Sequence, residues 1–242
     1  MVKSLVITGY GINCERELAT ACRAAGGEVE FIHAKKLFAD QSALNRSQLL
    51  LFPGGFSFGD ELGSAKVFAN RLLPMRAELE KFIARGGCIL GICNGFQLLV
   101  KLGLLPGEKG QTASLISNAT GRFECRWIHH TVIPSHCIFT QGLTSLYLPI
   151  RHGEGRFVTE NTENLFEKGQ VPLQYEENPN GSMDKIAALC DSTGRVMGMM
   201  AHPEAALYFK QDPRWTRMKG LPEFASGYAL FKNAMNYLRG NS

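Results

Sequence analysis

The sequence predicts an α/β protein built on a mostly parallel, doubly wound sheet with an added antiparallel β section. Over the first hundred residues, short apolar runs alternate with segments of helical spacing, and most connections between them are short. This alternation is typical of parallel strands that are covered by helices on both faces. After about residue 118, short β-rich segments separated by Gly, Pro and Asn replace it, which is typical of antiparallel strands.

Apolar runs in the first half predict the parallel strands, and helical spacing predicts the helices between them. The strands are predicted at residues 4–8, 29–32, 49–52 and 88–92. Helices are predicted at 15–26, about 65–84 and 94–105, and paired glycines end the first two. Residues 33–48 are predicted to be a polar connection between two strands.

The second half predicts further strands and a closing helix. Strand patterns cover residues 121–133, 145–150 and 171–176, and a hairpin is predicted over 185–204 with its turn at 191–194. An amphipathic helix is predicted over 227–240. Its apolar face comprises Leu230, Phe231, Ala234, Met235 and Leu238. Because no repeat or linker interrupts the chain, we expect a single domain over residues 1–242.

The composition excludes several classes of function. The net charge of +4 comes from scattered basic residues, so nucleic acid is not an expected partner. No run reaches the roughly 18–20 apolar residues of a membrane span, so no membrane association is expected. The seven cysteines form no C-x-x-C pair and no zinc-like spacing. This pattern predicts reduced thiols, a cytoplasmic location and no metal site.

One short stretch, "CILGICNGFQLL" (residues 88–99), predicts a nucleophile at a sharp turn between a strand and a helix. Gly91 and Gly95 flank Cys93 and remove side chains that would collide across such a turn. The thiol would then lie at the carboxyl edge of the sheet and at a helix N-terminus, which favours a thiolate. The alternative is a buried core cysteine, the interpretation that fits Cys88 in the same strand.

A cysteine nucleophile needs a base and a group that orients the base. His202 lies at the end of a predicted strand in "MMAHPEAAL". In an extended segment residues i and i+2 project to the same side, so Glu204 is predicted to lie beside His202. The alternative is an ordinary polar surface turn.

The chemistry also requires hydrogen-bond donors for a developing oxyanion. The backbone N–H of Asn94, directly after the nucleophile, can supply one. The second can come from the loop after strand 49–52, where Gly54 and Gly55 permit a close backbone approach. The alternative for this "PGG" segment is an ordinary tight turn.

Four motifs, "GICNGFQLL", "PGGFSFGD", "RHGEGRF" and "GMMAHPE", together resemble the class I glutamine amidotransferases. Within that family they are most similar to glutaminase subunits of phosphoribosylformylglycinamidine synthase. The resemblance implies that L-glutamine is hydrolysed to glutamate and ammonia by Cys93, His202 and Glu204. It further implies an oxyanion hole at Gly55 and Asn94. No cofactor is implied in this chain, whereas ATP and Mg²⁺ are implied on a larger synthetase subunit, with a small bridging subunit as a possible third partner.

The same resemblance implies three residues near the substrate. Gln97, one turn into the elbow helix, is a candidate contact for glutamine, with a solvent-facing polar residue as the alternative. His152 and Glu154 of "RHGEGRF" are candidates for contact with substrate or synthetase, with a flexible surface turn as the alternative.

Two questions stay open at the level of sequence. Residues 208–227 resemble an interface insertion in which Trp215 could anchor a partner, or they form a loop that covers the sheet. Two other functions also remain: a cysteine hydrolase of the protease or chaperone-like type, and a non-catalytic regulatory subunit. Such hydrolases usually carry a histidine next to the nucleophile, where this chain has Asn94.

Overall fold

The computed structural model describes residues 1–59, 61–107 and 110–240. Asp60, the last residue of the "PGGFSFGD" motif, and the outermost C-terminal residues of the expected domain therefore lie outside the described residues. The strands are β1 (Lys3–Thr8), β2 (Glu28–His33), β3 (Leu49–Phe52), β4 (Cys88–Ile92), β5 (Ala113–Ile116), β6 (Glu124–Val132), β7 (Ser145–His152), β8 (Arg156–Thr159), β9 (Leu173–Tyr175), β10 (Ile186–Cys190) and β11 (Val196–Met199).

Within the described residues, nine strands form one sheet in the order β2-β1-β3-β4-β11-β10-β9-β6-β7, and β5 and β8 form a separate antiparallel pair. The five strands from β2 to β11 are parallel, and the remaining neighbours are antiparallel. Every residue of β3, β4 and β11 is buried. Strands that are buried on both faces are characteristic of a sheet covered by helices on each side. The predicted fold class is confirmed.

The antiparallel section differs in its burial. Along β6, exposed and buried positions tend to alternate, as expected for a strand with one face against the core and one toward solvent. The β10–β11 hairpin, with its turn at residues 191–194, connects the two sections because β11 pairs with β4 in parallel and with β10 antiparallel. The hairpin prediction is therefore confirmed.

The helices are α1 (Glu15–Ala24), α2 (Ala34–Ala39), α3 (Ser42–Asn45), α4 (Lys66–Leu72), α5 (Arg76–Ala84), α6 (Asn94–Lys101), α7 (Thr162–Glu167) and α8 (Ser226–Gly240). The predicted closing helix is confirmed, and all five residues of its predicted apolar face are buried.

Several predicted boundaries were wrong for identifiable reasons. The helix expected over 65–84 is divided by a 3₁₀ turn at Leu73–Met75, because Pro74 cannot donate the backbone hydrogen bond of a continuous helix. The helix expected over 94–105 ends at Lys101, and Gly103 follows with φ +69°, a conformation that terminates helices. The expected polar connection at 33–48 contains α2 and α3, and β5, β8 and α7 were not predicted.

The topology brings the predicted site residues to one edge of the sheet. β3, β4 and β11 are neighbouring parallel strands, so their carboxyl ends lie side by side. The Gly54–Gly55 loop, Cys93 and His202 follow these three strands. The order of the strands in the sheet therefore joins segments that are more than one hundred residues apart in sequence.

The buried apolar residues form one core cluster that includes both sections of the sheet and α8, which supports the predicted single domain. Residues 208–227 contain short 3₁₀ turns at Phe209–Gln211 and Trp215–Arg217 around a cavity of about 560 Å³. Trp215 is 42% exposed, and its predicted role as a partner anchor stays a prediction. No helix in the described part of the chain is long and apolar enough to cross a membrane.

Candidate active site

Cys93 occupies a sharp turn between β4 and α6. Its backbone has φ +52° and ψ −105°, a conformation that L-residues rarely adopt and that occurs at the nucleophile elbow of α/β enzymes. A Cβ on Gly91 would lie 2.6 Å from the carbonyl oxygen of Gly95, so glycine is required across the turn. A Cβ on Gly95 would instead overlap the carbonyl oxygen of Phe52. The second glycine therefore lets α6 pack on β3 rather than relieving the turn itself.

The turn aims the thiol of Cys93 toward β7. The backbone N–H of Cys93 donates to the carbonyl of Met199 (2.8 Å), and the thiol contacts the carbonyl oxygen of Arg151 with a sulfur–oxygen distance of 3.6 Å. The residue is 7% exposed. α6 begins at Asn94, so the thiol lies at the positive end of that helix.

His202 and Glu204 form a buried pair next to this turn. The distance between His202 Nδ1 and Glu204 Oε1 is 2.6 Å, and both residues are almost completely buried. The backbone N–H of His202 donates to the carbonyl of Pro149 (2.9 Å), which fixes the histidine against β7. The pairing agrees with the prediction, but its predicted geometry was wrong. β11 ends at Met199, and a 3₁₀ turn from Pro203 to Ala206, rather than an extended strand, brings Glu204 beside the imidazole.

The surroundings of His202 favour its protonated form. Burial by itself would lower the pKa of the imidazole, but the negative charge of Glu204, with smaller contributions from two nearby thiols, outweighs burial. The pKa of His202 therefore lies well above its ordinary value of 6.5. The two thiols that contribute belong to Cys93 and Cys14. An imidazole in this setting can accept a proton from a thiol and later deliver it to a leaving group.

The loop after β3 is held against these groups. A short antiparallel pairing brackets Gly55, in which Phe56 N–H donates to Gly11 (2.9 Å) and Asn13 N–H donates to Gly54 (3.2 Å). The N–H of Gly55 takes no part in that pairing. A Cβ on Gly54 would lie 2.8 Å from His202 Cε1, so only glycine permits this approach. The role of Gly55 as an oxyanion donor stays a prediction.

Gln97 is buried and connects α6 to the loop that follows β7. Its Nε2 donates to the carbonyl of Glu154 (2.6 Å), and its Oε1 accepts from Asn94 Nδ2 (3.1 Å). Glu154 Oε2 in turn accepts from the backbone N–H of Ser64 (3.1 Å). These bonds show that Gln97 and Glu154 hold two site loops together. Their contact with glutamine stays a prediction.

His152 is also buried beside the site. Asn118 Oδ1 accepts from the backbone N–H of Gly155 (3.0 Å) and lies 3.1 Å from His152 Nδ1, which places a proton on Nδ1. Burial, with a smaller contribution from His202, lowers the pKa of His152 to about 4. The ring is therefore neutral near pH 7, and its buried Nε2 has no hydrogen-bond partner among the described residues.

A cavity of about 150 Å³ opens over the thiol. Of the predicted residues, Cys93, His202 and Gly55 line it. The predicted residues that do not line it are Asn94, Glu204, Gln97, His152 and Glu154. Sequence reasoning missed its other lining residues, although the motifs "PGGFSFGD" and "RHGEGRF" contain two of them. These missed residues are Asn13, Cys14, Phe56, Phe123 and Arg151.

Comparison with known proteins identifies the family. A CobB/CobQ-like glutamine amidotransferase domain matches residues 1–238. The chain belongs to this amidotransferase family.

Curated relatives of this amidotransferase extend over nearly its whole length. It is 41% identical over 263 residues to the phosphoribosylformylglycinamidine synthase subunit PurQ of Methanococcus maripaludis, covering 97% of this chain and 98% of that protein. The PurQ subunit of Dehalococcoides mccartyi is 41% identical over 251 residues, covering 98% of each chain. The family match and these relatives confirm the resemblance stated from the four motifs.

Solved structures give the same result for the fold of this amidotransferase. A chain in the structure of PurLQS from Thermotoga maritima superposes with a TM-score of 0.80 at 30% identity, covering 98% of this chain and 99% of that one. A second glutamine amidotransferase from the same organism superposes with a TM-score of 0.58 at 17% identity, covering 99% of this chain and 97% of that one. At that identity the second similarity supports the fold alone.

Proposed function

We propose that this amidotransferase is the glutaminase subunit of a phosphoribosylformylglycinamidine synthase in purine biosynthesis. It hydrolyses L-glutamine to glutamate and ammonia and passes the ammonia to a larger ATP-dependent subunit. The observation that carries the proposal is the Cys93 elbow beside the buried His202–Glu204 pair. This arrangement occurs in a chain that matches PurQ subunits at 41% identity over nearly its full length.

The proposed reaction proceeds in two steps. The Cys93 thiolate attacks the carboxamide carbon of glutamine, and the protonated imidazole of His202 gives its proton to the departing ammonia. The product of this step is a thioester between Cys93 and the glutamyl group. His202 then takes a proton from water, the hydroxide attacks the thioester carbon, and glutamate leaves as Cys93 is regenerated. Glu204 holds the imidazole in place and stabilises its charge.

An oxyanion forms in each step and needs donors. The N–H groups of Gly55 and Asn94 are proposed to supply them. Two observations support this assignment: the Ile12–Gly55 pairing that holds the loop does not use the N–H of Gly55, and Asn94 is the first residue of α6. Removing one such donor typically costs about 2.7–4 kcal/mol of transition-state stabilisation.

The partner proposals follow from the relatives. The PurQ names describe a subunit of a synthase, so this chain is proposed to act with a synthetase subunit that binds ATP and Mg²⁺. The PurLQS structure contains a chain similar to this one, which supports a small bridging subunit as a third component. The seven cysteines, all free in the structure, support a cytoplasmic location.

The family match favours this function over the two alternatives that the sequence left open. A protease-like or chaperone-like hydrolase would require a different substrate for the same elbow cysteine. A non-catalytic subunit would have no need to keep the buried pair His202–Glu204 at 2.6 Å.

Reconstitution with the synthetase tests the proposal. Partners would first be isolated by co-purification from the native cell, and the complex would then be assayed with either glutamine or ammonium as nitrogen donor. Cys93→Ala should abolish the glutamine-dependent amination of formylglycinamide ribonucleotide and leave the ammonium-dependent reaction intact. Cys125→Ala, at an exposed cysteine, should retain both reactions. If Cys93→Ala keeps glutamine-dependent amination, or if both reactions are lost together, the proposed role is wrong.

A further inference from the structure

Cys14 lies beside the catalytic pair, but the proposed glutaminase reaction does not use it. It precedes α1 and is partly buried. The backbone N–H groups of Asn13 and Cys14 both donate to the carbonyl of Gly54, at 3.2 and 3.3 Å. These bonds fasten the segment that carries the thiol to the loop that packs against His202. A Cβ on Gly54 would lie 3.4 Å from the sulfur of Cys14, so the thiol is directed toward the site.

Cys14, His202 and Glu204 bring a thiol, an imidazole and a carboxylate together. One potential ligand atom from each of the three lies within 4.8 Å of the others. Zn²⁺ binds such donors at about 2.3 Å for sulfur and about 2.0–2.1 Å for nitrogen, which places its ligand atoms roughly 3.5 Å apart. The thiol of Cys14 and the imidazole of His202 are therefore close enough for both to bind one cation.

The imidazole also has an unused ligand atom. His202 is 3% exposed, and neither its Nε2 nor Glu204 Oε2 has a hydrogen-bond partner among the described residues. A buried polar atom without a partner is costly. Cys14, Cys93 and His202 line the same cavity of about 150 Å³, so a cation that enters the cavity reaches both the thiol of Cys14 and the imidazole.

We propose that Cys14, His202 and Glu204 form an inhibitory site for a soft divalent cation such as Zn²⁺. The Cys14 thiolate and His202 Nε2 bind the cation directly, and Glu204 keeps its hydrogen bond to the N–H at Nδ1. This carboxylate–histidine–metal arrangement is common where histidine binds a metal. Binding releases the thiol proton of Cys14 and the Nε2 proton of the charged His202 imidazole, so the affinity should rise with pH.

The consequence for catalysis rests on the proposed glutaminase function, whereas the binding itself does not. A cation on Nε2 occupies the lone pair with which His202 would accept the proton of Cys93. The imidazole can then act neither as base nor as acid, so bound Zn²⁺ stops glutamine hydrolysis. Removing the cation with a chelator restores glutamine hydrolysis. Cys14, which has no role in the reaction itself, would in this way make the site sensitive to metal.

Direct binding tests the site without reference to activity. Zn²⁺ affinity of the full-length chain would be measured by competition with a chromogenic chelator, for wild type and for Cys14→Ser. We expect one tight Zn²⁺ per wild-type chain and an affinity at least about tenfold weaker in Cys14→Ser, because losing even an outer partner of a metal site costs about that much. Cys125→Ser is the matched control, because Cys125 is exposed and does not line the cavity; its affinity should equal that of wild type.

Two further measurements keep the result interpretable. Cys14→Ala, with circular dichroism for each variant, separates loss of a ligand from loss of the fold.

Inhibition by Zn²⁺ is the second measurement. In the reconstituted complex, expressed relative to each variant's own metal-free rate, this inhibition should weaken in Cys14→Ser by the same factor as binding. Equal binding, or equal inhibition, in wild type and both folded Cys14 variants would overturn the proposal and assign the effect to Cys93 alone. A complex inactive without Zn²⁺ would contradict the glutaminase function and leave the binding result standing.

Discussion

At the scale of single residues, the backbone of Cys93 carries the strain on which the site depends. A non-glycine residue with φ +52° typically costs about 1–3 kcal/mol, so the surrounding structure must enforce it. The hydrogen bond from Cys93 to Met199 and the close packing of α6 on β3 do so. The strained turn presents the thiol to the cavity that His202 also lines.

Glu204→Gln tests the orientation and charge of the base. The substitution keeps the size of the side chain but removes the negative charge that raises the pKa of His202. We expect that pKa to fall, as measured by NMR titration of the imidazole. We also expect kcat of the reconstituted complex to fall roughly 10²- to 10⁴-fold, the range of a positioned acid–base group. Glu177→Gln, at an exposed carboxylate, serves as control. An unchanged kcat would show that Glu204 does not orient the base.

At the scale of elements, the antiparallel section carries a buried titratable group that the site does not use. His130 lies on the buried face of β6 and is 0% exposed, with neither ring nitrogen hydrogen-bonded within the described residues. Burial lowers its pKa to about 4. Its neighbour His129 points to the exposed face of the same strand.

His130 is therefore expected to weaken the fold in acid. The unfolded chain binds a proton at His130 below about pH 6.5, whereas the folded chain does so only near pH 4. The contribution of His130 to the free energy of unfolding is thus fully present above pH 6.5 and decreases as the pH falls. At pH 4 the loss is about 3 kcal/mol. In urea unfolding between pH 7 and pH 4, His130→Phe should lose less stability than wild type.

His129→Phe is the matched control for this experiment and should follow the wild-type pH dependence. His152, whose pKa is also lowered to about 4, remains in both variants, so the acid loss in His130→Phe should be smaller rather than absent. Identical pH dependence in wild type and His130→Phe would contradict the assignment.

At the scale of the whole molecule, the cavity at the proposed active site is small, and the thiol of Cys93 is nearly covered. The cavity measures about 150 Å³, and Cys93 is 7% exposed. Phe56 and Phe123, which line this cavity, are 48% and 54% exposed. Exposed aromatic residues of this kind are typical of surfaces that contact another protein. We therefore expect a bound synthetase to contact these aromatic residues and to influence the access of glutamine to Cys93.

The isolated chain should accordingly hydrolyse glutamine slowly. Addition of the purified synthetase should raise kcat for glutamate release at least about tenfold, because closure of a partner over a site can control its turnover. Coupling of this kind would also prevent the loss of ammonia in the absence of an acceptor. Glutamate release would be measured with and without the synthetase at saturating glutamine. Equal rates would exclude activation by the partner.

Much of this architecture could be predicted from local patterns. The strands at 49–52 and 88–92, the apolar face of α8 and the glycines around Cys93 follow from the period and type of neighbouring residues. The shorter elements could not be found in this way, because α2, α3, β5 and β8 are stabilised mainly by packing against the rest of the fold rather than by their own propensity.

The amino-acid sequence by itself determined which residues bear the chemistry: a cysteine bracketed by glycines, a histidine with a glutamate two positions later, and a glycine pair after a buried strand. Only the tertiary structure decided which of them meet. The placement of β3, β4 and β11 side by side brings His202 and Gly54 to Cys93, and a 3₁₀ turn brings Glu204 to the imidazole. The tertiary structure also brings Cys14 close to His202. Such contacts depend on the order of the strands in the sheet. That order brings together residues that lie far apart in the sequence, so no local pattern can predict them.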